Sequence, residues 1–344
     1  MKALVLNGSN ALELKDHLTP EIRQDDDVIV KVVQTGICGT DRSILVGKFS
    51  AKAGTILGHE SVGVVEAVGR QVTSLVPGQR VIINPTLYCG SCPACLEGHL
   101  NFCQNKSGNE VGVDRHGAFA EYIALPARFC HAIPAGMSFD RAVMVEPLAC
   151  ALNNIEATRL SAGETLVVVG GGPMGIVSAM LALSMGARVW VVEPDAFRRR
   201  ACQAIFEGQE RLSLAAPGDA RLLGLADVVV ESVGNLLESS LEYAKPRGRL
   251  VIMGYNSKAT ATVKPLEILM RGLSIIGAGD YNSHIFQRAI RIATQLPLER
   301  IITARFPMEH YEEAFAALSP SPDNPYAALK VLIVADSEKA KEAA

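Results

Sequence analysis

No apolar run in the sequence approaches the ~20 residues that a membrane span requires. The richest stretch, Leu166 to Met185, is broken by four glycines and a proline. Near the start, Met1-Lys2-Ala3-Leu4-Val5-Leu6 gives way to Asn7-Gly8, too early for the apolar segment of a signal peptide. An excess of charge is also missing. The 33 basic and 36 acidic residues leave a formal net charge of −3, and with a pI near 6.2 phosphate backbones have no electrostatic reason to bind. Neither a nucleic acid nor a membrane is therefore expected as a partner, and no internal repeat is found. A hydrophobic content of 49% with 20% charged residues describes a globular protein. At 344 residues the chain is expected to form two domains. Of eight cysteines, four crowd into fifteen residues, which favours metal thiolates and a reducing cytoplasm over disulfides.

One stretch organises the rest. Thr165 to Val169 is a β-branched run that reads as a strand buried on both faces. It empties into Gly170-x-Gly172-Pro173-Met174-Gly175, and Ile176 to Met185 then reads as an apolar helix closed by Gly186. A second run, Arg188 to Val192, ends at Glu193, eighteen residues after Gly175. Glycines permit the tight turn, let the backbone approach a pyrophosphate, and let helix and strand pack closely. The helix N-terminus offers free N–H groups to the anion, and the acid can accept hydrogen bonds from both ribose hydroxyls. A glycine-rich turn alone is a weak signal; strand, turn, helix, strand and acid in register point to a dinucleotide site.

Before this stretch the chain reads as β-rich with long loops: strands at Leu12–Leu14, Val28–Val33, Val62–Val68, Gln79–Ile83 and Ala118–Ala124. A short helix is expected at Asp140–Met144 and a longer one from Pro147, a first-turn residue. From Thr165 to about Gly277, β and α alternate, with further strands at Asp227–Glu231, Arg249–Met253 and Ser274–Ile276. That alternation predicts a parallel sheet with helices on both faces. Between Glu207 and Ala226 there is room only for a short strand and half a helix. Helices at Ile285–Gln295 and Glu309–Leu318 and a strand at Leu329–Val334 follow, then a charged, Ala-rich tail expected to fray.

Cys89-x2-Cys92-x2-Cys95-x7-Cys103 carries four thiols at spacings that let one small loop wrap a tetrahedral ion. Zinc suits four thiolates and, with no open position, is structural. A pair of disulfides would need an oxidising compartment, and a nucleic-acid ribbon would need more basic residues than this loop holds. His99 lies within the lobe and is expected to be solvated, since four thiols already complete the site.

Cys38-Gly39-Thr40-Asp41 closes the strand at Val28–Val33, Gly58-His59-Glu60 follows, and Glu146 precedes Pro147. Separately each is weak. Together, Gly36-Ile-Cys-Gly-Thr-Asp41, Ile56-Leu-Gly-His-Glu-Ser-Val-Gly63, the cysteine lobe, Gly117-Ala-Phe-Ala-Glu-Tyr122, Val145-Glu-Pro-Leu-Ala149 and the glycine turn span nearly the whole chain. In that order they resemble the zinc-dependent medium-chain dehydrogenase family, in particular its sorbitol and threonine dehydrogenase-like polyol branch.

The resemblance implies an α/β protein. Residues 1–149 and 285–344 would form a catalytic domain around a partly open, GroES-like β-barrel, and 150–284 a doubly wound Rossmann domain, with substrate in the cleft between. It implies two zinc ions per chain and NAD. Cys38 and His59 would bind the catalytic zinc. Glu146 stands where alcohol dehydrogenases of the family carry cysteine and the polyol branch carries glutamate. Both Glu60 and Glu146 are expected to touch the site, one directly and one through water, and which does which stays open. A metal is needed because an alcohol must lose its hydroxyl proton as its hydride leaves. Zinc lowers the pKa of bound water from ~16 to ~7, which is on the order of 12 kcal/mol. Thr40 would relay the proton together with the cofactor's ribose. A histidine often found five residues beyond the first cysteine is missing, and Ser43 stands there.

Asp280 lies where several polyol and sugar-acid relatives carry arginine; an acid there would favour neutral polyols or amino-substituted rings over carboxylates. It reads equally well as a solvated loop aspartate. Lys48 and Phe49 are further pocket candidates. Glu193 should repel a 2′-phosphate and so favours NAD. Arg198, Arg199 and Arg200 are the counter-signal, although a basic surface face of the following helix is their commoner role. The expected activity is reversible oxidation of a secondary alcohol of a polyol, sugar or cyclitol by a homodimer or homotetramer paired through the strand near Ser274. A primary-alcohol, aldehyde or sugar-acid dehydrogenase and a non-catalytic zinc- and nucleotide-binding regulator are the alternatives.

Overall fold

Alternating β-branched residues build the strands of the first third of the chain. The computed structural model describes residues 1–106, 108–319 and 328–336, so the tail expected to fray lies outside the described residues. β1 (Lys2–Leu6) and β2 (Leu12–Asp16) pair antiparallel. β3 (Asp27–Gly36), β4 (Glu60–Val68), β5 (Arg80–Ile83), β6 (Tyr122–Pro126) and β7 (Cys130–Ala132) follow. Six strands then alternate with helices: β8 (Thr165–Val169), β9 (Arg188–Val192), β10 (Leu212–Ala215), β11 (Ala226–Glu231), β12 (Ala244–Ile252) and β13 (Ser274–Gly277). β14 (Ile302–Pro307) and β15 (Lys330–Val334) close the described chain.

The chain divides into two compact units, Met1–Glu146 with the segment from Asn282 onward, and Pro147–Tyr281. The first is built on a sheet of order β14-β15-β3-β4-β5-β7, with β6 also pairing with β3. β14 and β15 run parallel and the other pairs antiparallel. This is the β-rich, GroES-like half. In the second unit every pair is parallel, in the order β10-β9-β8-β11-β12-β13. Counted within the unit this is 3-2-1-4-5-6, the doubly wound Rossmann order, in which chain direction across the sheet reverses between β8 and β11. Leu166, Val167, Val168, Val228, Val229 and Val230 have no exposed surface. Each such side chain contributes about 1.5–3 kcal/mol by leaving water, which makes these two central strands the rigid floor beneath the glycine turn.

Several boundaries differ from expectation for local reasons. Cys38 does not close a strand; it is the N-cap of the helix Gly39–Leu45. Pro147 is the third residue of the helix Val145–Ala157, which starts two residues early. The helix after the glycine turn starts at Pro173, whose fixed φ suits the first position. No strand runs over Ala118–Phe119, because their N–H groups donate to the carbonyls of Gly58 and Leu57. β12 extends back through Pro246 and Gly248, which read as breakers; Arg247 takes φ 65° and the register with β11 shifts there. β14, at the sheet edge with alternate residues exposed, gave too weak an apolar signal to be expected.

Candidate metal centres and dinucleotide turn

The first centre lies at the C-terminal end of β3. The chain turns there into the helix Gly39–Leu45, whose N-cap is Cys38, and the neighbouring β4 begins with Glu60 directly after His59. One ligand atom each from Cys38, His59 and Glu60 lies within 4.8 Å of the others. Asp41 accepts the Cys38 N–H at 2.8 Å with one carboxylate oxygen. Its other oxygen stands 3.8 Å from His59 Nδ1, and both of those atoms are buried without a hydrogen bond. A carboxylate behind an imidazole is the arrangement that fixes tautomer and ring of a metal-ligating histidine.

Charge makes the same point. Burial works against a proton on His59, yet the Cys38 thiol and the Asp41 carboxylate, with Glu146 behind them, raise its proton affinity well above the ordinary imidazole range. Burial also raises Asp41, with His59 opposing. A buried knot of sulfur, nitrogen and carboxylate donors that draws in positive charge fits a zinc ion. Lys330, the first residue of β15, reaches the same knot. Its ammonium is ion-paired with Glu60 and donates to the Ile37 carbonyl at 3.0 Å. Burial disfavours that charge, but Glu60 and Cys38 outweigh it and raise the lysine's pKa. Thr40 Oγ1 lies 3.7 Å from Cys38 Sγ.

The second centre is the lobe at Cys89, Cys92, Cys95 and Cys103, whose sulfurs also lie within 4.8 Å of one another. Measured pairs are 3.6 Å (Cys103–Cys89), 3.9 Å (Cys89–Cys95) and 4.0 Å (Cys92–Cys103). A tetrahedron with zinc–sulfur bonds of ~2.3 Å has edges of about 3.8 Å, and these three distances match such edges. The N–H groups of Ser91 and Cys92 and the side-chain amide of Asn105 each donate to Cys89 Sγ at 3.4 Å, and Gln104 N–H donates to Cys92 Sγ at 3.4 Å. The Ser91 N–H, the Asn105 amide and the Cys92 N–H lower the Cys89 thiol to about 5, favouring the thiolate that zinc requires, whereas burial pushes the Cys95 thiol up to about 12. His99 is outside the cluster.

In the second unit, β8 delivers Gly170 with φ 103°, a value open to glycine, and its N–H donates to the Val192 carbonyl at 2.9 Å. Gly172 caps the helix Pro173–Ser184. A Cβ at Gly175 would land on the Gly170 carbonyl oxygen and 3.1 Å from Val168 Cγ1, so the third glycine is required by close packing. Glu193, 3% exposed, accepts the Gly171 N–H at 2.7 Å and the Asp195 N–H at 2.8 Å. Arg198 stands 3.8 Å from its carboxylate and Arg199 donates to its carbonyl at 2.9 Å. Those two arginines thus fold back onto the end of β9 and do not form the outward basic face that was expected.

Two family models match: that of the alcohol dehydrogenase GroES-like domain over residues 24–135, and that of zinc-binding dehydrogenases over residues 173–295. The chain is 32% identical over 331 residues to a 2-dehydro-3-deoxy-L-galactonate 5-dehydrogenase of Pseudoalteromonas atlantica, covering 92% of this chain and 94% of that protein. The chain belongs to the zinc-dependent medium-chain dehydrogenase family. This dehydrogenase is also 32% identical over 336 residues to an L-threonine 3-dehydrogenase of Chromobacterium violaceum, with 92% and 96% covered. A zinc-binding dehydrogenase of Sinorhizobium meliloti, solved with NADP, superposes with a TM-score of 0.87 at 30% identity, over 97% of this chain and 98% of that one. It is an oxidoreductase, and no described helix is long and apolar enough to cross a membrane.

Of the residues expected at the catalytic metal, Cys38, His59 and Glu60 come together, and Thr40 stands beside them. Glu146, buried at the start of the helix Val145–Ala157, weighs on the charge of His59 and Lys330 without joining the three-residue ligand cluster. Ser43 takes the N–H groups of Lys48 and Phe49 on its carbonyl at 2.8 and 3.1 Å. Lys48 is exposed, and Phe49 packs against the core that includes Ile44 and Val5. Asp280 is an exposed residue of the second unit whose carbonyl accepts from Asn153 at 3.3 Å. Two residues carry roles that sequence reading missed. Asp41 was quoted within a motif, but nothing in the sequence aims it at His59. Lys330 left one faint mark: a cation opening the otherwise apolar Lys330-Val-Leu-Ile-Val run.

Proposed function

We propose that this dehydrogenase oxidises a secondary alcohol of a polyol or sugar to a ketone with NAD as hydride acceptor, reversibly, using one catalytic and one structural zinc per chain. The observation that carries the reading is the Cys38–His59–Glu60 cluster with Asp41 behind the imidazole and a hydroxyl beside the thiol. Glu60 is the direct carboxylate ligand in this reading, and Glu146 acts from further out. When bound, zinc supplies the Lewis acidity that lets a substrate hydroxyl ionise near neutral pH. Asp41, 3.8 Å from His59 Nδ1, places a carboxylate behind the imidazole, and Thr40 relays the hydroxyl proton together with the cofactor's ribose. Glu193 holds the adenosine ribose and opposes a 2′-phosphate, although the relative solved with NADP and the nearby Arg198 make NADP the rival to measure.

Polyols and sugars are favoured by the glutamate at position 146. A second reading, a sugar-acid dehydrogenase, is favoured by the galactonate-derived substrate in the name of the Pseudoalteromonas relative. NAD reduction across neutral polyols, aldonates and amino-cyclitols separates them: the first reading expects polyols to lead, and a strong preference for aldonates would replace it with the second. Zinc analysis expects two ions per chain, with one lost in Cys38→Ser; two ions retained in that variant would remove the catalytic centre.

The reading includes pairing of subunits. The helix Pro265–Arg271 buries no residue and exposes Leu266, Leu269 and Met270, and β13 is an edge strand with Ile275 exposed. An open edge beside an apolar helix is a template for another chain, so a dimer or a dimer of dimers joined there is expected. Light scattering that finds a monomer at micromolar concentration would remove it. Four unbridged thiols in one lobe suit a reducing cytoplasm.

A further inference from the structure

Lys330 and Glu60 form a buried ion pair 270 residues apart in sequence. A lysine that opened a strand for packing alone would be expected to send its ammonium to solvent. This one turns inward, with 2% of its surface exposed, and its charge ends on a carboxylate of the metal cluster. The fold makes room for it. Gly36 has no positive φ to require glycine, yet a Cβ there would land on Glu60 Oε2 and 2.9 Å from Lys330 Cε. β3 therefore gives up a side chain so that the pair fits. β15 then brings the lysine in by pairing with β3, Leu332 opposite Gly36.

We propose that Lys330 is a resident counter-ion of the catalytic centre: it pairs with Glu60, opposes a dication at that carboxylate, and so sets the affinity of the site for zinc. The claim rests on the reading that zinc binds at Cys38, His59 and Glu60. Two buried cations that share one carboxylate oppose each other strongly in a low-dielectric surround. Removing the fixed one must therefore tighten the exchangeable one. A role confined to packing predicts the reverse, since losing the lysine would loosen the cluster and weaken metal binding. Lys330 is a positioning residue in this account and contacts no reacting atom.

Zinc titration of the full-length chain against a chromogenic chelator measures the affinity of the equivalent that disappears in Cys38→Ser. Lys330→Met is expected to bind that equivalent about tenfold or more tightly than the parent, and Lys330→Arg to match the parent. The unfolding temperature of Lys330→Met should rise more on adding zinc than that of the parent. Affinity that falls, or that rises by less, overturns the proposal. If Lys330→Met folds only with zinc present, the ion has taken over the lysine's task and the proposal stands. If neither it nor Lys330→Gln folds at any zinc concentration, the proposal fails, because the ion should replace the missing charge. A zinc equivalent that survives Cys38→Ser overturns the underlying metal assignment; one lost in Cys38→Ser but indifferent to Lys330 overturns this inference alone.

Discussion

Replacing two glycines of the dinucleotide turn by alanine, one at a time, separates what the fold needs from what the cofactor needs. At Gly172 the backbone is extended, φ −78° and ψ −179°, and the nearest atoms to an added Cβ belong to Arg198 at 3.9 Å. The folded chain has no objection to that methyl, so stability should change by less than about 0.5 kcal/mol. The methyl does occupy the face where the backbone must approach a pyrophosphate, and NAD affinity should fall by about tenfold or more. At Gly175 the added Cβ meets the Gly170 carbonyl oxygen, with its carbon at 3.0 Å and Val168 at 3.1 Å. Two of these are backbone atoms of a turn that cannot rotate aside. Overpacking of this kind costs about 1–3 kcal/mol, and alanine in a helix returns ~1 kcal/mol relative to glycine. Because the clash is with backbone, the upper part of that range, about 2–3 kcal/mol, applies, so the net loss should be about 1–2 kcal/mol, accompanied by weaker NAD binding because the Gly170 turn has to move. Urea unfolding and calorimetric titration of NAD measure both quantities on the same samples. Gly172→Ala with parental NAD affinity would show that the pyrophosphate docks elsewhere, and Gly175→Ala with parental stability would refute the packing argument.

The remaining predictions concern other elements. His131 accepts from Gln287 at 2.8 Å through Nδ1, its Nε2 is buried without a partner, and burial lowers its pKa to about 4. The unfolded chain then takes up the proton first, so stability is complete above the unfolded value of ~6.5 and is lost as pH falls toward 4. Relative to a His131→Leu variant, the zinc-loaded parent should lose up to about 2.5 kcal/mol between pH ~7.5 and ~4.5; parallel pH profiles for the two would sink the assignment. Cys103→Ser should cost one zinc per chain and several kcal/mol of stability, read by metal analysis and thermal unfolding, and an unchanged zinc count would rule out the four-thiolate site. Glu193→Ala removes the acceptor for the Gly171 and Asp195 N–H groups. It should weaken NAD and narrow the ratio of kcat/KM between NAD and NADP, whereas a ratio that stays constant would mean that Glu193 does not choose the cofactor.

The Rossmann unit was easy to read because its information is local. Val167 to Val169 and Val189 to Val192 announce buried strands, and the glycines sit between them at fixed offsets. The cysteine lobe was equally legible, since all four thiols fall within one loop. The first unit was harder. β14 alternates weakly at a sheet edge, and Ala118–Phe119 spend their N–H groups on the Gly58 loop although their composition suits a strand. Hardest were contacts between distant segments. The sequence motif contains Asp41 and Gly36, but that one faces His59 and the other yields space to an ion pair depends on β4 and β15 arriving beside β3.

The arrival of β15 has a consequence for synthesis. Pro147–Tyr281 is an uninterrupted segment, able to acquire its parallel sheet as it leaves the ribosome. The first unit has no such independence, because β14 and β15 belong to its sheet and are made after Pro147–Tyr281. Until Lys330 emerges, a nascent chain carries Glu60 without its ammonium partner. The cluster of Cys38, His59 and Glu60 with its lysine is thus completed only after the whole of Pro147–Tyr281 has been made.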